Sequence, residues 1–219
     1  MINLLVKFGA EDHMRQMQKE GLLYCKSVLD FAKMENDSAR GDKYENTVQL
    51  KVLIEKEIWL KPNHDKDADW KRLDITHGQQ RLSDNEFEGN LFCMSCFPIL
   101  PELDKSEINI SDRFLKEFGN HYLLILNQPE FFRRLDMAFR KMGVSYQREI
   151  IKYSDLKNFS GNKSIFVKDN LFSCQSEYRI FIKTDKTELQ VFKIGSIEDI
   201  THLGKLSEST AFEVKKAPN

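Results

Sequence analysis

The residues best equipped for chemistry in this 219-residue chain are Gln175 and Glu177, separated by Ser176. They open the segment Ser176-Glu177-Tyr178-Arg179-Ile180-Phe181-Ile182, which reads as a strand. Positions two apart on a strand share a face, so amide and carboxylate project together while Tyr178, Ile180 and Ile182 face the core. A carboxylate beside a hydrogen-bonding amide can stabilise positive charge developing on a sugar ring, as in oxocarbenium-like transition states. On spacing alone the pair reads first as an exposed strand end in which Glu177 pairs with a basic neighbour such as Arg179.

Other constellations offer less. Cys93-Met94-Ser95-Cys96 has CxxC spacing, but residues three apart on a strand point to opposite faces, which suits neither a shared metal nor a disulfide. With no second CxxC and no HxxxH, the pair reads as small side chains in a core strand, and no metal is expected. His13, His64, His77, His121 and His202 do not cluster. No HExxH, GxSxG, GxGxxG or GxxxxGK[ST] occurs, so zinc-hydrolase, serine-hydrolase, Rossmann and P-loop readings lack a footing.

These residues need elements to position them. A hydrophobic content of 41% and charged content of 31% are those of an ordinary globular chain, long enough to bury a core without disulfides. We expect one domain over 1–219, less ordered from about residue 205. A net charge of −1 gives no global attraction to nucleic acid or anionic lipid. The N-terminal apolar run is too short for a signal peptide and no stretch suffices to span a bilayer, so a cytoplasmic protein with reduced cysteines is expected, with no membrane partner. In that setting the Arg40-Gly41-Asp42 triplet is no adhesion motif. Strands are expected at 4–8, 22–26, 48–60, 91–99, 121–126, 144–153, 164–167, 177–183 and 189–194. Helices are expected at 13–20, ended by Gly21; at 30–34; from an N-cap at Ser111 to Gly119; and at 128–142. In the last, Phe131, Leu135, Ala138, Phe139 and Met142 form one stripe before Gly143. Loops are expected at 35–46, 61–70 and 76–90. Short strands without regular βαβ alternation predict an α+β fold, helices packed on twisted mixed or antiparallel sheets.

Taken together, three segments resemble the ADP-ribosyltransferase family. Val6-Lys7-Phe8-Gly9-Ala10-Glu11-Asp12-His13 through Gly21-Leu22-Leu23-Tyr24 is similar to the family's opening: a strand, a small polar turn, a short helix and a Gly-Leu step into strand two. Residues 91–97, with Ser95 inside, resemble the central Ser/Thr strand. Gln175-Ser176-Glu177 resembles the third signature, Gln/Glu-x-Glu, in order and roughly in position. A closer resemblance is to a group of uncharacterised bacterial proteins, some near phage-defence or toxin–antitoxin genes. It rests on Arg40-Gly41-Asp42-Lys43-Tyr44-Glu45, Phe118-Gly119-Asn120-His121 and Gln175-Ser176-Glu177-Tyr178-Arg179.

The resemblance implies an ADP-ribosyltransferase-like fold that binds NAD, cleaves its nicotinamide–ribose bond and passes ADP-ribose to a protein, RNA or DNA acceptor. It makes Glu177 the residue that holds the ribose hydroxyl and stabilises the oxocarbenium ion, and Gln175 the one that positions the acceptor. Lys7, Phe8, Gly9 and Ser95 would line the cofactor pocket, and Arg40, Asp42 and Glu45 would belong to a polar cleft. Arg40 would meet the pyrophosphate, because a guanidinium matches phosphate geometry. The run 40–45 reads equally as a solvated turn. A toxin or defence effector with a neutralising antitoxin or inhibitor protein is the implied setting. Many such transferases have His or Arg where this chain has Lys7, which would meet a ribose hydroxyl or phosphate only as a point charge. Two other readings stay open: a non-catalytic nucleotide- or partner-binding module, and a nuclease-like effector using Asp42, Glu45 and Glu177 with a divalent ion.

Overall fold

The computed structural model describes residues 2–34, 42–64, 67–83, 87–99, 105–207 and 211–215. The chain opens with β1 (Ile2–Gly9), α1 (Glu11–Glu20), β2 (Leu22–Ser27) and α2 (Val28–Lys33). A long hairpin, β3 (Gln49–Leu60) and β4 (Lys71–Leu82), precedes β5 (Gly89–Ile99) and β6 (Lys105–Asn109). Then come α3 (Asp112–Phe118), β7 (His121–Ile125), α4 (Gln128–Met142), β8 (Tyr146–Ile150) and β9 (Lys152–Ser154). The C-terminal third holds β10 (Gly161–Asn162), β11 (Val167–Asp169), β12 (Glu177–Lys183), β13 (Gln190–Lys193), β14 (Thr201–Lys205) and β15 (Ala211–Lys215). The architecture is α+β with mainly antiparallel sheets, as expected; β9 and β11 pair in parallel.

Local chemistry sets the helix ends. The acidic Glu11 and Asp12 in the first turn of α1 and Lys19 in its last complement the helix dipole, and Gly21 caps it in the left-handed region. Ser111 accepts a hydrogen bond from the Phe114 backbone N–H and starts α3; Asn127 does the same for α4 through Glu130. The stripe on α4 buries Phe131, Leu135 and Phe139 completely, each contributing on the order of 2 kcal/mol of apolar burial. They meet Leu5, Leu23, Phe92, Leu123 and Ile180 in the main core.

β5 organises the principal sheet, whose order is β13-β2-β5-β1-β7-β14, with β12 and then β8 added along β5. Its first half pairs with β12, from Gly89 opposite Lys183 to Ser95 opposite Glu177. β1 pairs with the second half, beginning where Val6 meets Ser95, whereas β2 pairs only at Asn90 and Leu91. β1 and β2 therefore part over Phe92, Cys93 and Met94, and a cavity opens there.

The structure corrects several expected boundaries. Residues 76–90 were expected as a loop, yet β4 spans Lys71–Leu82, because register with β3 holds a strand that is mostly polar. The expected strand 144–153 is divided at Ile151, which turns into the core while its N–H bonds the Glu177 carbonyl. The strand expected at 164–167 is shifted to Val167–Asp169. Beyond β14, the short strand β15 pairs with β6. Among the described residues, no helix is long and apolar enough to cross a membrane.

Candidate functional site

The cavity has a volume of about 570 Å³. β1 contributes Lys7, Phe8 and Gly9 to it, β5 contributes Ser95, and the entry to β12 contributes Gln175 and Glu177. Six residues singled out from three distant segments thus converge. Val6, Ser95 and Glu177 occupy one cross-strand row, which accounts for the convergence. Lys7 donates to the Cys93 carbonyl at 2.6 Å and lies 4.7 Å from the Phe92 ring centre, spanning the opening between the parted strands.

Gln175 and Glu177 are not placed as consecutive same-face strand residues. A 3₁₀ turn over Asn170–Gln175 ends in Ser176, whose φ of 43° is left-handed, and β12 begins only at Glu177. The two side chains are nevertheless joined by Lys168, whose Nζ donates to Gln175 Oε1 at 2.9 Å and Glu177 Oε2 at 3.2 Å. Arg179 Nε donates to Glu177 Oε1 at 2.7 Å, and its Nη1 donates to Glu45 and to the Ile165 carbonyl. The Glu177 backbone N–H donates to the Tyr153 hydroxyl at 2.9 Å.

The exposed-strand-end reading is therefore wrong in one half and right in the other. Glu177 does pair with Arg179, but both are buried, at 4% and 1% exposure. Burial by itself would raise the Glu177 pKa; the Arg179 and Lys168 charges, with hydrogen bonds from Arg179 and the Cys93 thiol, reverse this and hold it far below the ordinary carboxylate range. Burial likewise opposes the charge on Lys168, and Glu177 and Glu45 outweigh it, so its pKa lies above the usual lysine value. A carboxylate so held stays ionised and exchanges no proton near neutrality. It can accept hydrogen bonds and stabilise positive charge.

Asp42 does not belong to the cavity lining. It is buried, accepts a hydrogen bond from the Tyr44 backbone N–H at 2.9 Å, and reaches the site only through its neighbour Glu45, which pairs with Arg179. Burial and the Glu45 charge raise its pKa. Residues 42, 44, 45 and 47 are all buried, which overturns the solvated-turn reading for that part. Arg40 lies outside the described residues.

Sequence reasoning missed Lys168, the link between the two key residues. It sits in a short strand nine positions before Glu177, where no periodic pattern ties the two. It also missed the stacked pair His13 and Tyr24, 4.9 Å between ring centres, and Phe114 and Phe118, all lining the cavity. Alternating aromatic and polar residues gave no cue, since their elements meet only in the fold. Comparisons with protein-family models, curated proteins and solved structures found no match.

Proposed function

We propose that the protein is an ADP-ribosyltransferase that cleaves NAD and transfers ADP-ribose to a macromolecule. The observation that carries this reading is the convergence of Lys7, Ser95, Gln175 and Glu177 in one cavity, with Glu177 held as a permanent anion. The volume falls within the range of about 300–1,000 Å³ usual for small-molecule sites. Aromatic walls at Phe92, Phe114 and Phe118 suit planar rings, and Lys7 and Lys26 supply cations for phosphate. A carboxylate offers about four acceptor positions. Arg179, Lys168 and the Cys93 thiol occupy three at Glu177, leaving capacity for a ribose hydroxyl.

In this reading the bond between ribose C1′ and nicotinamide breaks, its electron pair leaving with nicotinamide. Glu177 stabilises the positive charge on the ribose ring. An acceptor nucleophile positioned by Gln175 then bonds C1′ and gives up its proton. The resemblance to defence-associated proteins makes a toxin or defence effector the setting we propose, with an antitoxin-like inhibitor as a partner. A nuclease-like role for Asp42, Glu45 and Glu177 is less well supported, because Asp42 does not line the cavity and cations already engage both Glu177 oxygens.

A second reading, nucleotide binding without turnover, draws on that same engagement of Glu177 by Arg179 and Lys168. Incubation with NAD labelled on adenine, with total RNA or cell lysate as acceptor, separates the two. Transfer of label to RNA or protein supports the transferase; saturable NAD binding by folded protein without transfer or nicotinamide release supports the binding module.

A further inference from the structure

The hairpin β3–β4 carries an apolar surface that the core does not use. Ile54, Trp59, Leu60, Trp70 and Leu73 are each between 46% and 62% exposed. Such a concentration of exposed large hydrophobics marks an interaction site. The register pairs Ile54 with His77, Lys56 with Ile75, Ile58 with Leu73 and Leu60 with Lys71. Glu55, with φ of 47°, bends the strand without shifting that register. Directly opposed residues share a face, so one face presents Ile54, Ile58, Leu60, Leu73 and Ile75. The ionisable residues interspersed there, Lys56, Lys71 and His77, are all basic. On the reverse face Arg72 bridges Glu57 and Asp74 at 2.6 and 2.7 Å, and Trp59, opposite Arg72, is exposed beside them.

Beyond its base, where β10 pairs with Gln49 and Leu50, the hairpin is a two-stranded ribbon, which is marginal in water and gains stability by packing against a helix. A second copy docked face to face would set Lys56 and Lys71 against their own counterparts. An anionic membrane or nucleic acid calls for a larger basic cluster than Lys56, Lys71 and His77, and Asp67 and Asp69 at the tip would oppose it. We infer that this face docks an amphipathic helix of a partner protein whose apolar stripe is flanked by Asp and Glu. This surface is independent of the proposed transferase chemistry.

Because Trp59 lies on the reverse face, opposite Arg72, binding is read on the partner, as the anisotropy of a fluorescein-labelled peptide. The full-length protein is titrated with a designed helical peptide whose leucine stripe is flanked by glutamates, and with its lysine-flanked counterpart. Phosphatidylglycerol vesicles, duplex DNA and simple dilution are run in parallel. The expected result is a saturable rise in anisotropy with the glutamate peptide only, abolished by Ile54→Ser with Leu73→Ser. Lys56→Glu with Lys71→Glu should reverse the preference toward the lysine peptide. Circular dichroism of both variants should match the parent. No rise with the glutamate peptide, an equal rise with the lysine peptide, or binding of vesicles, DNA or a second copy in its place would each overturn the assignment.

Discussion

Glu177 carries two burdens at once: it is the anion of the site and the partner of two buried cations. Glu177→Gln is expected to lower nicotinamide release by about 10²–10³-fold, the scale of a lost electrostatic stabiliser. The same substitution leaves Arg179 and Lys168 undercompensated, so unfolding free energy measured in urea should fall by about 3 kcal/mol. At an exposed strand end such a change would alter stability little; the burial of Glu177 removes that expectation. Gln175→Ala should reduce transfer to an acceptor more than it reduces NAD hydrolysis, and equal losses in both assays would remove its assigned role. The Gln175–Glu177 pair was legible because amide and carboxylate two apart form a compact local signal. Lys168 was not, since the 3₁₀ turn between β11 and β12, not a shared periodicity, brings it within 3.2 Å of Glu177.

Among the elements, the cavity depends on how α1 hands over to β2. Gly21 makes that step at φ 67°, and a Cβ there would lie 2.0 Å from the Gly195 carbonyl oxygen. Gly21→Ala should cost at least the ~1–2 kcal/mol of a left-handed L-residue, and more because backbone obstructs it. Thermal denaturation would read this as a clear drop in Tm; an unchanged Tm would show that the α1–β2 junction is not tightly packed. That glycine, the α4 stripe and β12 were readable in the sequence, because capping and periodicity are local rules. β4 was not: its apolar residues, Leu73, Ile75 and Leu82, are too sparse to stand out, and pairing with β3 supplies the order. Asp42, which the resemblance put in a polar cleft and composition in a solvated turn, is buried outside the cavity lining. Its segment looks solvated by composition, and only the fold buries it.

Across the whole molecule, the buried network of Glu45, Glu177, Lys168 and Arg179 ties the segment before β3 to the principal sheet. Its pH dependence follows from the shifts. The folded-state pKa of Glu177 lies below its ordinary 4.5, so its stabilisation is complete above that pH and is lost as the pH falls below it. Lys168 is raised above 10.5, so its contribution is complete below that value and is lost as the pH climbs past it. Asp42 acts in the opposite sense, since its raised pKa makes ionisation costly above about 3.8. Melting temperatures across pH should show an acid limb below about 4.5 that weakens in Glu177→Gln; an identical limb in the variant would contradict the network's role. The most direct test of the transferase itself is nicotinamide release from NAD, run beside Glu177→Gln at a temperature where circular dichroism shows both proteins folded. Release by the parent that the variant loses is the expected result. No release by folded parent protein, or undiminished release by the variant, would contradict it.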